Sequence, residues 1–303
     1  MDHPILWIVF GALVVATMVV DLGLLNRRGK DISTRAALAW TGVWVAIGLG
    51  FGGVLARFDS PAKAAEYLAC YLTEYALSVD NIFVFLVIFS FFAVPETHRR
   101  RVLFWGIFGA MVLRGLFLFG GVALVERFHW TVWILGGILV VTGFKLLFQK
   151  EGHVDPDKNP MLRIAKRFLP VTPEYEGDRF FVRRDGRLLA TPLFLTLLVV
   201  ESTDVLFAVD SVPAALALST DRLVLFTSNV FAILGLRSLF FAVAGFLSYL
   251  RYLKYGLSGI LIFVGVKMCL PEEHKIPTGV ALAVVGGILL VSIAASLIRP
   301  VRG

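Results

Sequence analysis

Cysteine and histidine are scarce in this chain, and neither is placed to do chemistry. The 303 residues hold two cysteines, Cys70 and Cys269, both inside apolar runs and far apart in sequence. There is no C-x-x-C pair, and two buried, inert thiols are the simplest reading. The five histidines (His3, His98, His129, His153 and His274) lie at or beyond the ends of apolar segments. With no HExxH and no Cys/His cluster, a zinc enzyme is not expected. Charge is also in short supply, at 17% Asp, Glu, Lys and Arg against 58% hydrophobic residues. Soluble domains carry about 25% charge, so the chain reads as a polytopic membrane protein. The first apolar run lacks a basic n-region and an A-x-A site, and reads as a retained helix rather than a cleaved signal.

What is abundant is apolar sequence in long runs. Nine spans are expected, at roughly 4–25, 38–57, 67–93, 102–125, 130–149, 192–218, 223–247, 253–270 and 277–298. At 1.5 Å per residue each can cross about 30 Å of hydrocarbon. The net charge of +7 is not a nucleic-acid footprint, because the Lys and Arg sort by loop. With the N-terminus outside, 20 of the 29 fall in inside loops, five in outside loops and four within spans. This split supports the span count and an N-out, C-in orientation in the bilayer. The one long polar stretch, 150–190, reads as turns around a short basic helix followed by a β-hairpin about Asp185-Gly186. Connection is its default role; gating or docking of a protein partner are the alternatives.

The chain repeats itself. Ile107-Phe-Gly-Ala-Met-Val-Leu-Arg114 resembles Val230-Phe-Ala-Ile-Leu-Gly-Leu-Arg237, and the Leu135–Lys145 stretch resembles Leu257–Lys267. Acidic segments precede both in the same order. A unit of three spans re-enters the membrane from the opposite side, so the expectation is an inverted-topology repeat. The fold class expected is an all-α membrane protein of about nine transmembrane helices, with two three-helix inverted repeats and a small cytoplasmic β-hairpin. The chain reads as one integral membrane domain, 1–303, with repeat 1 over about 66–149, the loop over 150–190 and repeat 2 over about 191–270.

The acidic segments hold the chemistry. Glu74 and Asp80-Asn81 in the first copy match Asp204 and Asp210-Ser211 in the second, with Glu201 one turn before. One charge near the bilayer centre costs at least ~2.5 kcal/mol, so five carboxylates need a reason, and a cation is the simplest. A six-residue step rotates about 120° and rises about 9 Å on a straight helix. One ion therefore cannot take both acids of one helix unless the helix is broken. Pro213 favours such a break, since it leaves the Val209 carbonyl without a helical partner. The expected centre is Asp80 and Asp210, with Glu74, Asp204 and Glu201 nearby and oxygens from Asn81, Ser211 and Asn229. Such hard donors suit Mg²⁺, Ca²⁺ or Mn²⁺. Asp21 reads equally as a pathway acid or an interfacial one. Arg114 and Arg237 are candidate counter-charges; Lys145 and Lys267 sit near span ends, where they can snorkel. The plainest alternative is that all the acids make structural ion pairs.

Glu74-x5-Asp80-Asn81 and Glu201-x2-Asp204-x2-Phe-Ala-Val-Asp210-Ser-x-Pro213 resemble the two signature segments of the TerC family, in its Alx-like branch. Arg100-Arg-Val-Leu, Phe180-Phe-Val-Arg, Ala190-Thr-Pro-Leu and Thr227–Arg237 extend the resemblance over nearly the whole chain. It implies a nine-span protein of the bacterial inner membrane related to LysE-type exporters, in a family named for tellurium resistance with members linked to manganese export and alkaline pH response. By motif match Asp80 and Asp210 carry over as core metal-site residues, with Glu74, Glu201 and Asp204 after them. Tellurite is an anion, which these acids would repel. The expected function is export of a divalent cation, Mn²⁺ first, with no tightly bound cofactor, no nucleic-acid partner and no enzymatic activity. An intramembrane aspartyl protease fits poorly, because no Gly-x-Gly-Asp segment occurs. The remaining alternative is a stress or tellurium-resistance complex component, or an assembly factor, docked through 150–190.

Overall fold

The computed structural model describes residues 4–25, 34–128, 130–148, 160–184, 186–243, 252–271, 274 and 276–298. Within them the chain forms α1 (Pro4–Leu25), α2 (Thr34–Phe58), α3 (Pro61–Phe91), α4 (Glu96–Arg127), α5 (Thr131–Phe148) and α6 (Pro160–Phe168). A hairpin of β1 (Phe181–Arg184) and β2 (Arg187–Ala190) follows. The chain then continues as α7 (Pro192–Leu218), α8 (Arg222–Leu234), α9 (Leu236–Val243), α10 (Leu253–Cys269) and α11 (Thr278–Ile298). Among the described residues, six helical stretches are long and apolar enough to cross a membrane: Thr34–Phe58, Glu96–Arg127, Thr131–Phe148, Pro192–Leu218, Arg222–Ala242 and Gly279–Ser296. Pro4–Val20 and Tyr255–Cys269 are shorter apolar helices. The protein is an all-α membrane protein, and the short hairpin is its one described sheet.

Two differences from the sequence pattern bear on the site. Helix α7 runs unbroken from Pro192 to Leu218 with Pro213 in its interior. The lost hydrogen bond does not break it, because Ser211 through Leu216 are all buried and α7 packs against α3 and α4; packing holds the geometry that one missing N–H would loosen. The interruption falls instead at Gly235, which separates α8 from α9 within the stretch expected at 223–247.

The apolar core is in two parts. One cluster takes α3 up to Leu77, α4 from Leu118 and α7 from Ala208, with α5, α8 and α10. The other takes α3 from Ile82, α4 up to Ala110 and α7 up to Val200, with α6 and α9. The seam between them crosses all three helices at one level. Helices α5 and α10 pack antiparallel: Gly136 lies on the backbone of Gly265, and Gly143 on that of Ser258. The Ser258 hydroxyl donates to the Gly143 carbonyl at 2.6 Å. A Cβ at Gly143 or Gly265 would strike the facing helix, so this close crossing depends on glycine.

One end of the bundle is tied by short polar contacts. Ser60 caps α3, accepting from the Lys63 N–H at 3.2 Å, and Asp221 caps α8, accepting from Leu223 and Val224 at 2.9 and 3.1 Å. Lys63 Nζ bridges Asp59 at 3.0 Å and Asp221 at 2.7 Å, joining the two caps. Ser219 Oγ donates to Glu66 at 2.6 Å beside them. Burial pushes the Asp221 carboxyl up, but Lys63 and the Val224 and Leu223 N–H groups outweigh it and hold the net value below the ordinary 3.8. Chiefly through its hydrogen bond to Asp221, Lys63 is held above its ordinary 10.5. Both ionised forms are therefore favoured by folding. The tie is complete between those ordinary values, fades as the pH falls through the lowered Asp221 value, and fades again as it rises through the raised Lys63 value. Asp221→Ala should cost about 1 kcal/mol at pH 7, as cap removal does. Denaturation of the detergent-solubilised protein should show that cost shrink once the pH drops below the lowered Asp221 value; a cost that stays constant into acid would contradict it.

Candidate functional site

At the seam between the two core clusters lies a guanidinium. Arg114 of α4 is completely buried, at 0% exposure. Its Nη2 donates to Asp204 Oδ1 at 3.1 Å and its Nε to Asp204 Oδ2 at 3.3 Å, a side-on bidentate pair. Its Nη1 meets Glu74 Oε1 of α3. Glu74 and Asp204 are 3% and 4% exposed. Asn81, one turn and three residues beyond Glu74, completes the ring. With its amide nitrogen donating to the Leu77 carbonyl at 3.1 Å, its oxygen accepts from Arg114 Nη2 at 3.2 Å. So equivalent acids of the two acidic segments, six residues before Asp80 and Asp210, converge on one arginine.

Two carboxylates on one guanidinium leave a net charge of −1 when all three are ionised. Burying ions is expensive, and the Coulomb attraction offsets it only when hydrogen bonding is close to complete. The arginine hydrogen-bonds Asp204 through two nitrogens and forms an ion pair with Glu74; neither acid has another cation within a salt-bridge distance among the described residues. The local sequence places the three groups simply. Each helix is apolar on both sides of its polar residue, so packing of the two clusters sets the depth at which the polar side chains must meet.

The other candidate residues lie around this ring. Asp210, two turns beyond Asp204 on α7, is half-buried, and its Oδ1 accepts from Thr142 Oγ1 of α5 at 2.9 Å. Ser211, the next residue, is buried, and so is Asn229 of α8. Glu201 is half-buried, with its carboxylate laid over Gly109 of α4, where any side chain would occupy the same space. The hydroxyls of Thr73, Ser78 and Ser211 and one Glu201 oxygen are buried without a hydrogen-bond partner among the described residues. These oxygens cluster in sequence around the two acidic segments. Asp80 lies on α3 by its backbone, but its side chain, like those of Asp21 and Arg237, is outside the described residues. Among the described residues no three His, Cys, Asp or Glu side chains are grouped to hold a metal by themselves. Lys267 does not simply reach for an interface: its Nζ donates to the Ala217 carbonyl near the end of α7 at 2.7 Å.

Two participants were not read from the sequence. Thr142 is a lone hydroxyl in an apolar span, and the signal for it is its repeat partner, Val264, which is apolar. Gly109 is visible only as the residue facing Glu201 across α4 and α7.

Removing Arg114 leaves two buried carboxylates without their cation, a change that costs about 3–5 kcal/mol when one partner of a buried pair is lost. Arg114→Met should therefore lower thermal stability in detergent sharply. Adding Asp204→Asn and Glu74→Gln to Arg114→Met should recover much of the loss. No recovery would mean that the arginine contributes by shape rather than charge.

The chain was compared with known proteins. The family model described as "Integral membrane protein TerC family" matches residues 59–302. "Uncharacterized membrane protein STKORF319" of Myxococcus xanthus is 47% identical over 297 residues, covering 98% of this chain and 93% of its own. The Escherichia coli (strain K12) protein named "Putative membrane-bound redox modulator Alx" is 41% identical over 298 residues, covering 95% and 93%. A Rickettsia bellii membrane protein is 38% identical over 293 residues, covering 97% of each chain. No solved structure matches the chain. The family match covers well over half of the chain and the relatives cover nearly all of it: the chain belongs to the TerC family of integral membrane proteins, and its likeness to Alx places it with the Alx-like branch.

Proposed function

We propose that this protein exports a divalent cation, with Mn²⁺ as the substrate, across the bacterial inner membrane. The observation that carries the reading is the excess of acid over base at the seam. Arg114 serves both Glu74 and Asp204, while Glu201, Asp210 and the neighbouring Asp80 stand on the same two helices. Charges at membrane depth mark ion pathways, and carboxylate, amide and hydroxyl oxygens suit hard divalent ions. Asp80 and Asp210 hold the ion in this reading, with Asn81, Ser211 and Thr142 as neighbouring oxygens and Glu201 as a station along the path. The choice of manganese comes from the family resemblance; the donor set alone admits Ca²⁺ and Mg²⁺.

The membrane architecture belongs to the same proposal. It has nine spans, made by α1, α2, α3, α4, α5, α7, α8 with α9, α10 and α11. The N-terminus is outside and the C-terminus inside, and α3–α5 and α7–α10 form inverted repeats. Reciprocal packing supports the repeat. Aligning Gly136 with Ser258 and Gly143 with Gly265 turns the contact Gly136–Gly265 into the contact Ser258–Gly143, and both occur. Likewise α3 packs on α8 as α7 packs on α4. Alternating access then rocks one repeat on the other about the acidic seam. Carboxylates that release a metal can take up protons, which makes proton exchange a natural driver.

The relatives' redox name raises a second reading, direct thiol chemistry. Cys70 is buried with its Sγ on the Ala215 carbonyl, and Cys269 lies against the Trp133 carbonyl; both are free thiols. This arrangement lends no support to a dithiol couple. A docking role in a membrane stress complex remains the alternative to transport.

Uptake of radiolabelled Mn²⁺ into inverted vesicles checks the proposal. Asp80→Asn with Asp210→Asn should reduce the rate by on the order of a hundredfold, as expected when ligands of a charged substrate are removed. Transport equal to wild type in that double variant would overturn it.

A further inference from the structure

Helix α6, Pro-Met-Leu-Arg-Ile-Ala-Lys-Arg-Phe, lies outside the transport seam and has more apolar surface than the protein covers. At 100° per residue, Ala165, Leu162 and the following Leu169 fall together on one side. Leu162 and Ala165 are buried in the core with Val94, Val102 and Leu193, and Leu169 packs against them. Ile164, Phe168 and Met161 fill the adjoining arc of about 60°, yet they are 53%, 73% and 45% exposed. Arg167 and Arg163 come next around the helix, both exposed. The apolar arc is thus about twice as wide as its packing requires, and the uncovered half is bordered by arginines. The helix carries three basic residues and no acid.

Its place in the fold says what borders that stripe. The residues holding α6 are the end of α3, the first turns of α4 and the first turn of α7, three helix ends at one face of the bundle. One to two turns deeper on α4, Trp105 and Phe108 are exposed on the outer surface that a membrane helix presents to lipid. The hairpin repeats the pattern beside it: Leu188 is 63% exposed and pairs across the strands with exposed Arg183. The hairpin segment is fixed to the same face, with Tyr175 donating to the Phe92 carbonyl at 2.6 Å and Asp178 on His98 at 2.7 Å.

We infer that α6 is an interfacial helix that binds the anionic phospholipid surface of the leaflet at this face. Ile164 and Phe168 enter the boundary between headgroups and acyl chains, while Arg163 and Arg167 lie along lipid phosphates. Neutral lipid offers the apolar half of this match and anionic lipid offers both halves. The bilayer is the occupant favoured because the stripe's rim is basic and α6 packs against the start of α7, at an end of a membrane-spanning bundle. The inference is independent of whether the protein moves a cation.

Hydrogen exchange of the full chain tests it, in nanodiscs of phosphatidylcholine alone and of phosphatidylcholine with 30% phosphatidylglycerol. Amides of 162–168 should exchange on the order of tenfold more slowly with phosphatidylglycerol. Arg163→Gln with Arg167→Gln should remove that lipid difference, while the exchange of α7 and α10 stays as in wild type. Should the double variant misfold, the wild-type comparison between the two lipids still decides. Equal protection in both lipids overturns the inference of anionic-lipid binding. Protection that follows the number of copies per disc, rather than lipid charge, overturns it in favour of a second copy.

Discussion

A single buried guanidinium holds together the two helices on which the acids of this protein stand. Arg114 is fully enclosed, and the two carboxylates it binds come from α3 and α7. Each partner offsets part of the cost of burying the others, so removing one leaves the rest uncompensated. The apolar clusters on either side fix the depth of this ring and exclude water from it. Charge also sets the functional consequence. Two acids share one base, and further acids stand on the same two helices. In the proposed function a divalent cation is the group that balances those acids.

The architecture lets such a seam be more than a strut. The Gly136–Gly265 and Gly143–Ser258 contacts bring α5 and α10 close on backbone surfaces rather than on interlocked side chains. Small residues permit that approach and also permit sliding. At one end, the Asp59–Lys63–Asp221 bridge ties the starts of α3 and α8. At the other, α6 and the hairpin clamp the ends of α3, α4 and α7. Exchange of access between the two faces would have to loosen one set of ties while the other holds, with the arginine ring as the level about which the parts move.

Much of this was legible in the sequence. The acids stand out because charge is so costly in apolar runs, and the hairpin announced itself through Asp185-Gly186 between strand-forming residues. The proposed three-span repeat rests on the paired motifs around Arg114 and Arg237. Partner choice was not visible. Arg114 is 40 residues from Glu74 and 90 from Asp204, and nothing local states that both acids reach one base rather than a common ion. Pro213 pointed to a broken helix because its missing N–H is a local fact, whereas the packing that keeps α7 continuous is tertiary. Thr142 was hidden for a similar reason: a single hydroxyl in an apolar span bonds its own helix as readily as an acid on another.

The central claim is that a cation binds between the two acidic helices, beside the arginine ring. A structure determined by X-ray diffraction from crystals grown with Mn²⁺ tests it directly through anomalous scattering at the manganese edge. The account predicts a peak at the depth of the seam, ligated by carboxylates of both α3 and α7 with Asp210 among them. Manganese found only at loop residues, or no peak at the seam at saturating Mn²⁺, would contradict it.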